Sequence, residues 1–166
     1  MKPQLGDTIL NRYTLVSSLR EEPGIQAWKA NDRVLAKDCQ LFIITNRSAF
    51  AAIDELAGRM AATRPDRVIP VLKYRMESDV LLIVMPVDSG QCLTDYMVDT
   101  AKPLSYSAIR SIIGECANVL REVIADTPSG IVITTDTVRV TTSGVQIADA
   151  PCATMLADTS ATDLRT

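Results

Sequence analysis

The sequence predicts an α+β fold in which a five-stranded antiparallel sheet with one inserted helix precedes a mainly helical part. Three observations support this prediction. Short apolar runs bounded by turn residues fill most of the first 45 residues and return at 67–87, as in an antiparallel meander. One stretch of helical spacing, 50–61, interrupts these runs. From residue 92 the apolar residues follow helical spacing, until a hairpin pattern appears around residue 143.

Each predicted strand is a short run of apolar and β-branched residues that ends at a turn. Pro23-Gly24 separates the first two strands, and Glu77-Ser78 separates the last two. Because these turns are short, the strands that they join are expected to pair antiparallel. The five strands are expected at 12–19, 26–30, 40–45, 67–76 and 79–87.

The helices are predicted from apolar residues that recur every three or four positions. The inserted helix has Asn46 or Ser48 as its cap and Pro65 just beyond its end. A short helix is expected at 92–99 and a long one at 105–125. The apolar residues of the inserted helix are Phe50, Ile53, Leu56, Ala57, Met60 and Ala61.

The last predicted element is a hairpin that turns at Ser143-Gly144. Its strands are expected at 137–142 and 145–149. From Pro151 the sequence is rich in Ala, Thr and Asp, and we expect this tail to be loose.

Composition argues against several classes of function. The chain has no histidine, which removes the commonest general base and the commonest metal ligand. The four cysteines at 39, 92, 116 and 152 form no C-x-x-C pair, so we interpret them as buried thiols in a reducing compartment. A net charge of -3 and 4% aromatic residues argue against nucleic acid as a partner. We expect no cofactor and no metal.

The chain itself is expected to be cytoplasmic. Its longest apolar run, LLIVMPV at 81–87, is far shorter than the roughly 20 residues that a membrane-spanning helix needs. The N-terminus, MKPQLGD, lacks the apolar core of a signal peptide. Any attachment to the inner face of the plasma membrane would therefore pass through a covalently linked region outside this chain.

The order of the elements resembles that of a bacterial Ser/Thr protein kinase, and the local sequence agrees. GDTILNRYTLVSSL resembles the start of the kinase small lobe, and AWKANDRVLAKD resembles its second strand and the following turn. IVMPVDSGQCLTDYM resembles the hinge, with Met85 at the gatekeeper position. The resemblance implies a kinase-like small lobe at 5–87, a truncated and mainly helical large lobe at 88–150, and a loose tail at 151–166.

Several residues that a kinase uses to hold ATP are replaced. The resemblance places the three glycines of the phosphate-covering loop on Arg20, Glu22 and Ile25, and a carboxylate such as Glu22 repels a polyphosphate. It places the phosphate-binding lysine of the third strand on Phe42, which cannot hold a phosphate. The usual partner of that lysine matches Glu55, which is otherwise a surface carboxylate of the helix.

The segment GIVITTDTVRV (130–140) resembles the catalytic loop. Ile133, Thr134 and Thr135 stand where a kinase has His, Arg and Asp. The Asp of Asp-Phe-Gly matches Asp149, which either ligates a cation or ends the last strand. Because several groups that act together in phosphoryl transfer are missing, the chain is expected to be a catalytically inactive pseudokinase and not an enzyme.

Among pseudokinases, the chain looks most like the cytosolic kinase-homology region of actinobacterial MviN-type proteins, which flip peptidoglycan lipid precursors. The similar segments are GDTILNRY, PGIQAWKANDRVLAKD, GIVITTD, VRV and APCATM. This resemblance implies phosphorylation by a Ser/Thr kinase and recruitment of a forkhead-associated protein, which binds phosphothreonine. The expected function is a regulatory module that binds protein partners in peptidoglycan synthesis. The alternative is a degenerate nucleotide sensor that binds ATP without phosphoryl transfer.

Two kinds of site follow from this expected function. Thr159 and Thr162 lie in the acidic tail, and Thr63 begins TRPD, whose spacing suits some phosphothreonine readers, so all three are candidate phosphorylation sites. The apolar stripe of the long helix is a candidate face for a homodimer, unless the tail covers it. That face consists of Ile109, Ile112, Ile113, Leu120 and Val123.

Overall fold

The computed structural model describes residues 2–64, 66–77, 79–88, 90–99, 103–126 and 131–153. The chain forms two compact units. The first unit contains Met1–Ala61 and Pro70–Val87, and the second contains Ala62–Ile69 and Asp88–Thr166. The segment 62–69 lies between two parts of the first unit in sequence but belongs to the second.

The first unit is built on an antiparallel sheet of six strands. They are β1 (Thr8–Ile9), β2 (Tyr13–Glu22), β3 (Ile25–Asp32), β4 (Lys37–Ile44), β5 (Lys73–Glu77) and β6 (Val80–Pro86). Their order in the sheet is β1-β2-β3-β4-β6-β5. The first four strands are neighbours in sequence order, while β6 pairs with both β4 and β5 and leaves β5 at the edge.

The sheet has six strands and not the five predicted, because β1 was not expected. Leu10 and Asn11 have positive φ angles of 51° and 56°, and this turn folds Thr8 and Ile9 back onto the start of β2. A strand of two residues is too short to produce an alternating pattern, so the sequence carries no signal for it.

The strand predicted at 67–76 is observed only as β5, so its predicted start is wrong. Arg67 has a φ of 59°, and Pro70 has no backbone N–H, so this segment does not continue a regular ladder. Instead, this segment forms hydrogen bonds with Ile147, which belongs to the same unit. The Ile69 N–H donates to the Ile147 carbonyl, and the Ile147 N–H donates to the Arg67 carbonyl, each at 2.8 Å.

Alternation along β4 divides its side chains between the two faces of the sheet. Leu41 and Ile43 belong to a buried cluster with residues of β2, β3 and β6, whereas Phe42 faces the opposite side. The inserted helix is confirmed as α1 (Phe50–Thr63), which follows a 3₁₀ turn at Arg47–Ala49. Its buried stripe contains Phe50, Ile53, Leu56, Ala57 and Met60.

Asn46 is the cap of the 3₁₀ turn. Its side-chain oxygen accepts a hydrogen bond from the Ser48 N–H at 3.2 Å and another from the Ser48 hydroxyl at 2.7 Å. The two residues considered as caps therefore act together, with Asn46 as the acceptor and Ser48 as the donor.

The structure describes two helices and a small sheet in the second unit. The helices are α2 (Leu93–Asp99) and α3 (Tyr106–Asp126). The strands are β7 (Gln91–Cys92), β8 (Val138–Thr141) and β9 (Gly144–Ile147), in the order β7-β8-β9. The predicted helices and hairpin are thus confirmed, with shorter hairpin strands and one added strand, β7. The Ser105 hydroxyl accepts from the Ala108 N–H at 3.2 Å and caps α3.

The two halves of α3 differ in burial. In the C-terminal half, Val119 and Val123 are 1% and 0% exposed. In the N-terminal half, Tyr106, Ile109 and Ile113 are 81%, 41% and 63% exposed. The predicted stripe therefore does not form one continuous surface, because Val123 is enclosed within the second unit.

Residues 151–153, which fall in the predicted tail, are buried, and a hydrogen bond from the Cys152 N–H to the Asp149 carbonyl at 2.8 Å closes a turn there. The rest of the tail, with Thr159 and Thr162, lies outside the described residues. Within the described ranges, no helix is both long enough and apolar enough to cross a membrane.

Candidate functional site

The β2–β3 hairpin stands where the resemblance places the glycine-rich loop of a kinase. Its turn is only Pro23-Gly24, because Glu22 pairs directly with Ile25. The Arg20 Nε donates to the Glu22 Oε1 at 2.5 Å, and both side chains are partly buried. The two charges that replace glycines therefore neutralise each other within the hairpin.

Gly24 has a structural role in this hairpin. Its φ is +79°, which favours glycine. Its carbonyl accepts from the Thr45 N–H at 2.9 Å and the Asn46 N–H at 3.3 Å. A Cβ at this position would lie 2.8 Å from the Cβ of Asn46. The glycine therefore permits a close approach of the chain to its own backbone.

Three of the positions that the resemblance aligns with functional residues of a kinase are buried and apolar. Ile25, Phe42 and Met85 are 4%, 1% and 0% exposed. Phe42 lies in the middle of the sheet, opposite Ala27 on β3 and Ile83 on β6. An ammonium group at this position would be costly to bury without a charged partner, so the structure here is built around an aromatic ring.

Glu55 lies on the exposed side of α1. Its side chain is 63% exposed, and the Arg59 Nη2 donates to its Oε1 at 2.5 Å. The two residues are four positions apart on the helix, and an exposed pair of this kind stabilises a helix by about 0.3–0.5 kcal/mol.

The segment that resembles a catalytic loop is closed by Thr137, which is 1% exposed. The Thr137 hydroxyl accepts from the Thr134 N–H at 2.9 Å and donates to the Thr134 carbonyl at 3.1 Å. Ile133 is half-buried, and Thr135 is exposed. Neither side chain can act as an acid or a base near neutral pH.

Asp136 anchors this segment to the start of α2. Its Oδ1 accepts from the Thr94 hydroxyl at 2.7 Å. The neighbouring Thr135 carbonyl accepts from the Thr94 N–H at 3.3 Å and from the Cys92 thiol at 3.5 Å. The carboxylate one position after Thr135 therefore holds two segments of the second unit together.

Arg139 on β8 connects three segments of the second unit. Its Nε donates to Asp88 Oδ2 at 3.0 Å, and its Nη1 donates to the Asp136 carbonyl at 2.6 Å. Its Nη2 lies 3.7 Å from Asp149 Oδ2. The side chains of Arg139, Asp88 and Asp149 are 14%, 12% and 10% exposed, so this is a largely buried group of one cation and two carboxylates.

Asp149 follows β9 in an unusual backbone conformation. Its φ is 55°, which few residues other than glycine adopt without strain, although Asp is among the more tolerant ones. The carboxylate that the resemblance assigns to a metal thus faces a guanidinium of its own unit. In the part of the chain that the structure describes, no group of three or more metal-binding side chains occurs.

A second buried ion pair joins Arg12 to Asp32 in the first unit. The Asp32 carboxylate accepts two hydrogen bonds from Arg12, at 2.8 and 2.6 Å, and others from the N–H groups of Val34 and Leu35. The guanidinium, followed by the two backbone N–H groups, lowers the pKa of Asp32 to about 2 against the opposing effect of burial. This pair holds the start of β2 against the end of β3.

Sequence reasoning missed Arg139 and Asp88. The available signal was weak. Arg139 is a single charge between two valines in a short strand, VRV, and a charged residue that is buried in a strand needs a partner. Nothing in the sequence indicates which of the chain's acids supplies that partner. Thr63, a predicted phosphorylation site, is exposed at the last position of α1.

No protein-family model and no curated protein matches the chain. Its structure is similar to a crystal structure of the Mycobacterium tuberculosis PknI kinase domain, with a TM-score of 0.73 and 16% sequence identity over 92% of this chain and 62% of that one. A single-mutant form of the same domain matches with a TM-score of 0.75, at 16% identity over 91% and 63% of the two chains. The chain therefore spans less than two thirds of the length of these domains.

These matches contradict the expectation that the chain is not an enzyme. Every solved structure named above is a kinase domain, and at 16% identity this likeness shows a shared fold. The expectation rested on replaced side chains at the ATP-binding and catalytic positions, and replacing side chains leaves the backbone fold in place. The six-stranded antiparallel sheet, the helix inserted before β5 and the two helices of the second unit together have the fold of a protein kinase domain.

Proposed function

We propose that this kinase-fold chain is a regulatory domain that acts by binding protein partners. One observation carries the proposal: the charged side chains at the kinase positions are each paired inside their own unit. Arg20 is paired with Glu22, Glu55 with Arg59, and Asp149 with Arg139. A ligand that recruits one of these charges has to compete with a formed ion pair, whereas a protein partner can use the surface around them.

The resemblance to MviN-type proteins supports a place for this domain in the control of peptidoglycan synthesis. It also supports a Ser/Thr kinase as the modifying enzyme and a forkhead-associated protein as the reader of phosphothreonine. The candidate threonines remain Thr63, Thr159 and Thr162.

The position of Thr63 favours regulation by phosphate. Thr63 is exposed at the last position of α1, and Arg64, with a φ of 45°, ends the helix. A phosphate at the C-terminal end of a helix is repelled by the partial negative charge there. Modification would therefore loosen the last turn and present TRPD to a reader in an extended form.

The test uses the full chain, Mg-ATP and a bacterial Ser/Thr kinase, followed by mass spectrometry to locate the modified threonine. Binding of a forkhead-associated domain is then measured by calorimetry before and after modification. We expect modification to tighten binding at least tenfold, and substitution of the modified threonine by Val to abolish this gain. Thr142→Val, at an exposed threonine of the β8–β9 turn, is the control and is expected to keep it. Equal binding before and after modification contradicts the proposal.

Phosphoryl transfer by the chain itself is measured in parallel, without the added kinase. The readout is ADP release in the presence of a generic protein substrate, compared with the Asp149→Asn variant. ADP release that depends on Asp149, with no partner binding in the first assay, would replace partner binding by catalysis as the function of the domain.

A second candidate function is the binding of Mg-ATP as a regulatory ligand. The observation that favours it is the position of Asp149 directly after β9, where the resemblance places the metal-binding Asp of a kinase. Ligand at 100 times its Kd stabilises a protein by about 2.7 kcal/mol, and at about 2–4 °C per kcal/mol for a chain of about 150 residues or more this raises the Tm by roughly 5–11 °C.

This candidate is tested by thermal unfolding in millimolar ATP with and without magnesium. A rise in Tm that requires magnesium, is lost in Asp149→Asn and persists in Asp136→Asn supports binding at Asp149. Asp136→Asn is a matched control, because an amide oxygen still accepts the bond from Thr94. An unchanged Tm in all samples rules this candidate out at millimolar concentrations.

A further inference from the structure

We propose that the exposed half of α3, together with α2, binds a second copy of this chain in a twofold-symmetric dimer, with Tyr106 of each copy inserted into an apolar groove of the other. The proposal goes beyond the proposed function and does not depend on it. It also narrows the predicted self-association face to one end of α3.

The groove lies between α2 and α3, and the side chains that line it in the described part of the chain are all apolar. Its volume is about 440 Å³. Leu93 and Met97 line it from α2, and Ile109, Ile112 and Ile113 line it from α3, with residues 103–104 between the helices. Because no charged or polar side chain lines it among the described residues, the groove suits an apolar or aromatic side chain better than an ionic one.

The same surface also carries a protruding aromatic side chain. Tyr106 is 81% exposed, and it shares a helical stripe with Ile109 and Ile113, three and seven positions later. Arg110, one turn after Tyr106, is exposed on the same stripe. A twofold-symmetric interface uses one patch against itself, so the patch has to contain both the protrusion and the cavity. The exposed half of α3 contains both.

An antiparallel crossing of two α3 helices satisfies this requirement. A twofold axis between Ile109 and Arg110 brings Tyr106 of one copy opposite Ile113 of the other, beside the groove. It also brings the Arg110 guanidinium within reach of the other copy's aromatic ring, where a cation–π contact is favourable. At Gly114 nothing lies within 4 Å of the position of a Cβ, so the helix surface is open there to a neighbouring backbone.

The apolar part of the patch can be compared with the area that a dimer interface buries. The large apolar side chains exposed on it are Met97, Tyr106, Ile109 and Ile113, at 55%, 81%, 41% and 63%. With on the order of 100 Å² exposed by each, the apolar area alone is about 400 Å², the size of the largest patch on a typical monomer. This apolar area is about half of the roughly 800 Å² per partner that a specific interface buries.

The first experiment is sedimentation velocity of the full chain across micromolar concentrations. We expect a species of twice 18.0 kDa. Ile113→Lys is expected to weaken self-association at least tenfold, because it places an ammonium group against the groove. Val34→Lys is the matched control: Val34 is 70% exposed in the first unit, and the variant gains the same charge without touching the patch. Circular dichroism checks that both variants are folded.

The second experiment tests the position of the axis. Ile109→Cys lies close to the proposed axis and is expected to form an intermolecular disulfide under mild oxidation. Ser111→Cys lies on the opposite side of α3 and is expected to form much less. The unsubstituted chain shows the background from the native cysteines, two of which are partly exposed.

Three outcomes would overturn the proposal. The first is an 18.0 kDa monomer at every concentration. The second is a dimer that Ile113→Lys and Val34→Lys weaken equally, which would place the interface elsewhere. The third is a full-length monomer that dimerises only when the chain is shortened to end at residue 153, which would assign the groove to the chain's own tail.

Discussion

Arg12 holds the buried carboxylate of Asp32 through both of its oxygens, with Nε donating to Oδ1 at 2.8 Å and Nη2 donating to Oδ2 at 2.6 Å. The Asp32 side chain is 6% exposed, and that of Arg12 is 28% exposed. Because removal of one member of such a pair leaves the other uncompensated, this contact is expected to contribute to the stability of the first unit.

Asp32→Asn is expected to destabilise the chain by about 1–3 kcal/mol, less than a fully buried pair because Arg12 is in part solvated. The free energy of unfolding in urea, followed by circular dichroism, measures the loss. Asp38→Asn is the control, since the Lys29–Asp38 pair is exposed and is expected to contribute under about 1 kcal/mol. Equal losses in the two variants would contradict the special role of Asp32.

The same pair predicts a pH dependence at the acidic end. The pKa of Asp32 is lowered to about 2 in the folded chain, against about 3.9 for an unfolded chain. A lowered folded-state pKa gives a stability that is fully present above the unfolded value and is lost as the pH falls through the folded value. Between pH 4 and pH 2, the wild-type chain is therefore expected to lose about 1–2 kcal/mol more than Asp32→Asn. Parallel pH profiles of the two chains would contradict this.

Gly24→Ala is expected to destabilise the chain by more than the backbone cost of about 1–2 kcal/mol for a left-handed residue. The added methyl group would also meet the Cβ of Asn46 at 2.8 Å. Gly6→Ala is a matched control, because Gly6 has a similar φ of +87° but nothing lies within 4 Å of its Cβ position. Urea unfolding measures both. The difference between the two losses in the free energy of unfolding measures the cost of the contact with Asn46. Equal losses would show that Asn46 moves away from the added methyl group.

Arg139→Met is expected to destabilise the chain by about 3–5 kcal/mol, because it removes the guanidinium that faces the largely buried carboxylates of Asp88 and Asp149. Adding Asp88→Asn and Asp149→Asn to the same chain removes the uncompensated charges and is expected to recover part of the loss. Thermal unfolding of the single and triple variants measures both. A triple variant as unstable as the single one would show that Arg139 acts through packing and not through charge.

The four thiols are expected to differ in reactivity in the folded chain. Burial raises the pKa of Cys39 to about 11 and, together with the nearby Asp149, raises that of Cys152 well above its usual value. Burial also raises the pKa of Cys116. At pH 8, iodoacetamide is therefore expected to label Cys92 first, and Cys39 and Cys152 only after unfolding. Peptide mapping by mass spectrometry over time gives the order, and early labelling of Cys152 would contradict it.

The sequence was sufficient for the order of the elements, because long periodic stretches carry a strong signal. The spacing of Phe50, Ile53, Leu56 and Met60 predicted α1, and the turn at Pro23-Gly24 predicted the first hairpin. The signal failed where structure is short or is imposed from a distance. β1 has only two residues, and the segment before β5 takes its conformation from hydrogen bonds to Ile147, which lies about 80 positions later in the chain.

The candidate site was less predictable than the fold. Alignment to a kinase pattern identified Phe42 and Asp149, but it could not show that Asp149 faces Arg139, since the partner of a buried charge is set by tertiary packing. The predicted stripe on α3 was divided for the same reason. Helical spacing puts Ile113 and Val123 on one stripe, but only packing within the second unit decides that Val123 is enclosed and Ile113 is not.

The segment 62–69 has a consequence for dividing this protein into fragments. Val68 and Ile69 are each 6% exposed, and this segment is bonded to Ile147 of β9. A fragment cut after residue 87 would retain both apolar residues without β9, and it would tend to aggregate. No single cut separates the two units, so a soluble version of the first would need a new polar connector in place of 62–69. A fusion protein that ends the first unit at residue 87 would expose Val68 and Ile69 in the same way.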